Sequence, residues 1–145
     1  MIVRWPSVVN PGTVITQTAS SLDVFPTILA IAGIEIDEPR QGRSLLPLLQ
    51  GESPGDWDQD LYAEYHMINY AEADMRCYRT PQFKLIRDKS NEGRDEFYDL
   101  VNDPGETQNL INDRSPQVRR AIEALLLKLD RQVSSLDTAM KRPAP

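Results

Sequence analysis

Few side chains in this sequence are of the types that carry out covalent chemistry or bind metals. His66 is its only histidine and Cys77 its only cysteine, so a pair of histidine ligands is excluded. No nucleophile stands at the spacing of a catalytic motif. The acids near the histidine, Glu64, Glu72 and Asp74, are too scattered for a carboxylate dyad. The residues therefore predict no complete catalytic site in this chain.

The remaining acidic residues do not form a recognisable cation loop. Asp58, Asp60, Asp99 and Asp103 do not match the ligand spacing of a calcium loop, and no glycine-rich phosphate loop is present. Cys77 falls inside a strand-like run, where an unpaired cysteine behaves mainly as a small apolar residue. We therefore expect it to be a structural thiol.

Composition and net charge limit the classes of partner that the chain is expected to bind. The 145 residues carry a net charge of −6, which argues against nonspecific nucleic-acid binding because that requires a basic face. No apolar run approaches the roughly 18 residues of a membrane span. One cysteine excludes an intrachain disulfide. The sequence predicts no nucleic-acid partner and no membrane span, and the compartment stays unknown.

The first third of the chain has the pattern of strands followed by one helix. Residues 1–5 are mostly apolar and predict a buried strand, and residues 14–18 predict a second extended run. Asp23 is the expected N-cap of a helix that has Pro26 in its first turn and ends at Gly33.

That helix has no polar face, since apolar side chains point in most directions around its axis. A helix of this kind needs cover on both sides, and two short strands do not provide it. We therefore expect residues 1–51 to be the tail end of an α/β core whose body is outside this chain.

The remainder predicts a sheet covered by a helix. Residues 52–60 are polar and predict a linker. Four strand-like runs joined by short links then predict an antiparallel meander over residues 61–67, 75–80, 83–87 and 96–100. Ser115 and Pro116 are the expected start of a helix with one apolar stripe made by Val118, Ile122, Leu125, Leu126, Leu129 and Val133.

Several blocks of the sequence resemble successive segments of sulfatases, the sulfuric-ester hydrolases with an alkaline-phosphatase-like core. The order Y-D-L-x-x-D-P-x-E-x-x-N-L at residues 98–110 is similar to a segment near their C-terminus. Residues 1–6, 21–27 and 42–51 resemble earlier blocks in the same order. The resemblance spans residues 1 to about 130.

The resemblance implies an alkaline-phosphatase-like α/β fold of which this chain is the C-terminal portion. On this interpretation residues 1–51 end the α/β core and residues 52–60 are the linker. Residues 61–136 form a four-stranded antiparallel sheet packed by a helix, an α+β subdomain, and residues 137–145 are a tail.

The resemblance also implies chemistry for the intact parent. Sulfatases cleave sulfate monoesters with a formylglycine, made from the Cys or Ser of a C/S-x-P/A-x-R motif, and with Ca²⁺ held by acids and amides. Cys77, followed by Tyr78, does not match that motif. We expect none of these groups to be bound by this chain, which by itself would be inactive. The implied partners are a sulfated small molecule or glycan, together with a homodimer contact or contact with the missing N-terminal region.

C-terminal subdomains of sulfatases border the active-site cleft, so three residues are candidates for its rim. We expect His66, beside Tyr65, to contact the organic part of the substrate, and Arg79 is the third candidate. A cross-strand ion pair of Arg79 with Glu96 or Asp99 is the competing expectation.

Two other functions stay open at this point. A phosphonate- or phosphodiester-hydrolysing relative of the same superfamily shares much of this architecture. A non-catalytic interaction or oligomerisation module would instead use the apolar N-terminal helix as a partner or dimer surface.

Overall fold

The chain divides into two compact units, residues 1–59 and 60–145. The structure is a computed structural model that describes residues 1–35 and 41–140, with side chains up to residue 136. The expected tail falls partly outside this range, at residues 141–145.

The first unit is built from helical turns and loops. A 3-10 turn, Ser21–Asp23, leads into α1, Val24–Ile31, and a short helix follows as α2, Leu46–Leu49. The expected strands at residues 1–5 and 14–18 are wrong. Neither segment is a strand, because an extended run becomes one only where a neighbouring strand accepts its hydrogen bonds. The main chain at Trp5 turns instead, and its carbonyl accepts from the N–H groups of Val8 and Val9.

The start of α1 differs from the expected N-cap. Asp23 already has helical backbone angles and makes no side-chain cap to α1. Ser20 is the N-cap of the preceding 3-10 turn, and the two residues form a reciprocal capping box. The Asp23 carboxylate accepts from the N–H of Ser20 at 2.7 Å and from the N–H of Arg43 at 2.9 Å. Asp23 therefore ties two distant segments together.

A small apolar core holds the first unit. Leu45, Leu48 and Leu49 are buried around α2, and Trp5, Val9 and Trp57 pack against them. The Trp57 indole N–H donates to the Thr18 carbonyl at 2.9 Å. Residues 52–59 of the predicted linker, 52–60, therefore belong to the first unit, and Trp57 contributes to its core.

By contrast, α1 is poorly covered by the described chain. Pro26 and Thr27 are buried, whereas Phe25 is 52% and Ile28 58% exposed. Ile2, at 98%, is fully exposed as well. Much of the apolar surface of α1 is therefore exposed in the described part of the chain.

The second unit is a four-stranded antiparallel sheet in the order β1-β2-β3-β4. Its strands are β1, Leu61–Ile68, β2, Glu72–Arg79, β3, Phe83–Asp88, and β4, Glu96–Asp99. The expected strand at residues 75–80 thus begins three residues earlier. The reason is that the β1–β2 ladder runs on to the pair Ile68 and Glu72 at the hairpin.

One long helix, α3, Pro116–Met140, packs on this sheet, and it runs four residues beyond the expected end at residue 136. Its residues Leu125 and Leu129 are buried against Leu85 and Phe97 of the sheet, which have no exposed surface. Burying a side chain of this size contributes roughly 1.5–3 kcal/mol, so these four residues are the main apolar contribution to the second unit. None of the helices in the described residues has the length and apolar character needed to cross a membrane.

Candidate functional site

The two faces of the sheet carry different side chains, because successive residues of a strand point to opposite sides. We call the side packed by α3 the helix face, and the other the opposite face. The helix face carries Tyr62, Glu64, His66, Asp74, Arg76, Tyr78, Leu85 and Phe97. The opposite face carries Tyr65, Met67, Met75, Cys77, Arg79, Lys84 and Tyr98.

An ionic cluster occupies the β1 and β2 part of the helix face. The His66 Nδ1 atom lies 3.8 Å from a carboxylate oxygen of Asp74, which also accepts from Arg76. The Arg76 Nε atom lies 3.5 Å from Glu64. The register explains the grouping, since Glu64 faces Arg76 and His66 faces Asp74 across the two strands.

Arg76 is the centre of this cluster, and the sequence interpretation passed over it. Burial disfavours the charged form of Arg76 and would lower its pKa. The hydrogen bond to Asp74 and the charges of Glu64 and Asp74 outweigh this effect, so the pKa of Arg76 is raised. Glu64 and His66 alternate along β1, and Asp74 and Arg76 alternate along β2. This pattern predicts an ionic cluster only once the register of the two strands is known.

The rim candidates His66 and Tyr65 do not lie together, because they point to opposite faces. The His66 side chain is 58% exposed on the helix face. The Tyr65 hydroxyl lies 3.2 Å from the sulfur of Met67 on the opposite face. Arg79 shares that face with Tyr65 but pairs with Leu61, at the other end of β1. The structure therefore separates the three candidates.

The expected ion pair of Arg79 is wrong. Within residues 1–35 and 41–136, no ion pair joins Arg79 to Glu96 or Asp99. Glu96 accepts from the Tyr98 hydroxyl at 2.8 Å, and Asp99 accepts from the side chain of Asn102. The reason is the sheet order: Arg79 faces Lys84 of β3, which separates it from β4.

A second polar cluster, also missed by the sequence interpretation, lies on the opposite face. Lys84 donates to Glu106 at 2.5 Å and its ammonium lies 5.9 Å from the centre of the Tyr98 ring. Burial, helped by the hydrogen bond to Glu96 and by nearby acids, raises the pKa of Tyr98 to about 12. This tyrosine therefore stays protonated at neutral pH and cannot supply a phenolate there.

Cys77 does not have the character of a nucleophile. Burial raises the pKa of its thiol above the ordinary value, so the thiolate that attacks an electrophile is scarce at neutral pH. Its neighbours across β1 and β3 are Ala63 and Ile86. This apolar setting agrees with the structural role expected from the sequence.

The described residues do not fit the calcium ion and the formylglycine implied by the resemblance. In the part of the chain that the structure describes, no group of three or more His, Cys, Asp or Glu side chains converges on one point. Cys77 stands in a continuous ladder between β1 and β3 rather than on an accessible turn. No reaction step is therefore assigned to this chain's own residues.

Comparison with known proteins identifies the family to which this chain is similar. The family model described as N-sulphoglucosamine sulphohydrolase, C-terminal, matches residues 1–134. The N-acetylglucosamine-6-O-sulfatase of Bacteroides thetaiotaomicron is 33% identical over 115 residues, which cover 77% of this chain and 21% of that protein.

Solved structures show the same fold. A protein in complex with its substrate, D-glucosamine-2-N,6-O-disulfate, matches with a TM-score of 0.72 and 28% identity, over 97% of this chain and 30% of its own. The phosphonate monoester hydrolase of Silicibacter pomeroyi matches with a TM-score of 0.69 and 28% identity, over 94% of this chain and 28% of its own.

The matched part of this chain thus spans between about a fifth and a third of the length of these three proteins. The predicted fold, the C-terminal portion of an alkaline-phosphatase-like α/β protein with a four-stranded antiparallel sheet and a C-terminal helix, is confirmed. The chain belongs to the family of sulfatase C-terminal regions described as N-sulphoglucosamine sulphohydrolase, C-terminal.

Proposed function

We propose that this chain is the C-terminal portion of an enzyme that hydrolyses sulfate monoesters, and that it supports the cleft without supplying the reacting groups. The observation that carries the proposal is the family match over residues 1–134. The described residues add to it, because they hold no converging metal ligands and no activated thiol.

On this proposal the calcium ion and the formylglycine belong to the part of the enzyme outside this chain. The partly exposed apolar side chains of α1, which include Phe25 and Ile28, would then pack against that part. The substrate would be a sulfated small molecule or glycan, by analogy with the disulfated glucosamine of one structural relative.

The first test is the activity of the chain itself. The 145-residue chain should not hydrolyse a chromogenic aryl sulfate above the rate of a buffer blank. A chimera, in which this chain replaces the matching segment of the Bacteroides sulfatase, should be active on the substrate of that enzyme. An active isolated chain, or a folded but inactive chimera, would contradict the proposal.

A second candidate is a phosphonate monoester hydrolase, which is favoured by the match to the enzyme from Silicibacter pomeroyi. The polypeptide encoded by the whole reading frame that carries this chain would be assayed on an aryl sulfate and on an aryl phosphonate monoester. A higher kcat/KM on the sulfate supports the sulfatase, and a higher value on the phosphonate supports the second candidate.

Within the sulfatase proposal, His66 contacts the organic part of the substrate. Its support is a half-exposed imidazole on β1, close to Asp74. His66→Ala in the intact enzyme should raise KM more than it lowers kcat, since a rim contact contributes to binding of the ground state and the transition state alike. An unchanged kcat/KM would exclude the contact, and Val101→Ala, at a 65% exposed position, is the control.

A further inference from the structure

Strand β1 lies at an edge of the sheet, and within the described residues β2 is its only strand neighbour. The sheet order makes β1 an edge strand of eight residues. Its middle is open to solvent, with the Glu64 side chain 45% and the His66 side chain 58% exposed. Long exposed edge strands are templates for pairing with another strand.

The hydrogen bonds of the ladder show which residues of β1 point outward. Lys89 N–H donates to the Asp74 carbonyl at 2.9 Å, and Thr80 N–H to the Phe83 carbonyl at 2.8 Å. Asp74 and Thr80 therefore direct their main-chain groups toward β3. Because these groups alternate sides along a strand, Met75 directs its groups toward β1.

Met75 faces Tyr65 in the β1–β2 register, so Tyr65 directs its main-chain groups toward β2. By the same alternation Glu64 and His66 direct theirs away from the sheet. In the described part of the chain, no backbone hydrogen bond beyond the sheet involves either residue. These two residues carry the donors and acceptors that a further strand would use.

We propose that β1 pairs with β1 of a second copy of this chain, antiparallel and about a two-fold axis at Tyr65. In this register Glu64 exchanges two main-chain hydrogen bonds with His66 of the second copy, and His66 does so with Glu64. Ala63 then lies opposite Met67 of the second copy, and Tyr65 lies opposite its own equivalent.

Charge favours this register over the two registers that are centred one residue earlier or later. Centring the pairing on His66 would set two imidazoles opposite each other and would leave each Glu64 opposite Ile68, without a polar partner. Centring it on Glu64 would set two carboxylates directly opposite each other. Like charges directly opposite are destabilising in a sheet. The Tyr65 register instead places each carboxylate beside an imidazole, whose ring N–H can donate a hydrogen bond to it. It also pairs nearly the whole strand, because all of residues 62–68 then face residues 62–68 of the second copy.

The test is cysteine cross-linking of the whole chain in a Cys77→Ser background. That background is needed because residue 77 faces residue 63 within the sheet. Tyr65→Cys places two thiols opposite each other across the axis, where Cα atoms are about 4.5 Å apart and within disulfide reach. Ala63→Cys is the matched control, since its own equivalent would lie four residues away along the strand.

Under mild oxidation, Tyr65→Cys should form the covalent dimer at least about tenfold faster than Ala63→Cys on non-reducing gels. Adding His66→Pro to Tyr65→Cys should reduce its rate to that of the control. Proline removes only the outward N–H there and is tolerated on edge strands. Circular dichroism of this variant checks that the sheet is intact.

Equal rates for residues 63 and 65, or a rate that His66→Pro leaves unchanged in the folded protein, would overturn the proposal. So would a wild-type chain that sediments as a monomer at about 100 μM, well above the micromolar affinity of an ordinary weak association. The test is independent of the proposed function, because cross-linking does not depend on any activity. It also separates the pairing from the proposed contact of His66 with substrate, which is measured by kinetics.

Discussion

Asp88, at the end of β3, shows how one carboxylate organises a hairpin. Its side chain is fully shielded from solvent, yet it accepts hydrogen bonds from the N–H of Asp74, the N–H of Ser90 and the amide of Asn91. Burial by itself would favour the protonated acid, but these donors and Arg94 outweigh burial and lower the pKa of Asp88. The hairpin between β3 and β4 therefore depends on an ionised carboxylate.

This leads to a prediction about acid stability. A carboxyl whose pKa is lower in the folded than in the unfolded protein stabilises the fold above the unfolded pKa, and that stability is lost as pH falls through the folded pKa. Asp88→Asn should therefore lower Tm at pH 7 and make Tm fall less between pH 5 and pH 3. Thermal melts across this range measure the effect. Asp130→Asn, at an exposed position on α3, should leave the pH profile unchanged.

At the scale of elements, the loop before α2 is held in place by a close backbone approach at Gly42. Its φ of +86° lies in the region open to glycine, and a Cβ there would lie 2.3 Å from the Leu22 carbonyl oxygen. This contact, together with the bond from Arg43 N–H to Asp23, fixes the loop against the start of α1.

Alanine substitutions at two glycines separate the effect of the Cβ clash from the strain of a positive φ. Gly42→Ala should destabilise the first unit more than Gly12→Ala, which has a φ of +80° and nothing within 4 Å of its Cβ. A difference of roughly 1–3 kcal/mol is expected from overpacking. Urea unfolding of both variants, followed by tryptophan fluorescence, measures it, and equal losses would show that the clash relaxes freely.

Helix α3 stabilises the second unit through one stripe of leucines. Leu129 is 3% exposed and belongs to the core with Phe97, whereas Leu127, two positions earlier, is 60% exposed. Leu129→Ala should cost about 2–5 kcal/mol of unfolding free energy, whereas Leu127→Ala should change it by no more than about 0.5 kcal/mol. Urea unfolding monitored by circular dichroism distinguishes them, and similar losses would contradict the packing described.

At the scale of the whole molecule, the apolar surface of the first unit is the most unusual property of the chain. Ile2, Leu22, Phe25, Ile28 and Ile31 are each between 46% and 98% exposed. Exposed apolar side chains of this size are typical of interaction sites in soluble proteins, and we call these five the apolar patch. The patch agrees with the proposal that the first unit packs against the rest of a larger enzyme.

The patch predicts how the isolated chain behaves in solution. It should bind a hydrophobic dye such as ANS, and the double variant Phe25→Lys/Ile28→Lys should lose at least about half of that fluorescence, because both side chains contribute exposed apolar area. The far-ultraviolet circular dichroism should stay unchanged. Dye binding that is equal in the two proteins would place the apolar surface elsewhere.

The amino-acid sequence by itself determined the elements that depend on local pattern. The period of the leucine stripe, Pro116 at the first helical position, and the alternation in residues 96–100 are local properties, so they predicted α3 and β4 directly. The family also followed from the sequence, because the motif at residues 98–110 is itself a sequence. The absence of a polar face on α1 was equally visible.

Tertiary structure decided everything that depends on strand register and on neighbours. Residues 1–5 are not a strand, because no partner strand accompanies them in the described first unit. Tyr65 and His66 point to opposite faces, because one step along a strand reverses the side-chain direction. Arg79 is separated from Glu96 because the sheet order places β3 between their strands. Pairing between residues distant in sequence is fixed only when the sheet forms, and that pairing gathers Glu64, His66, Asp74 and Arg76 into one cluster.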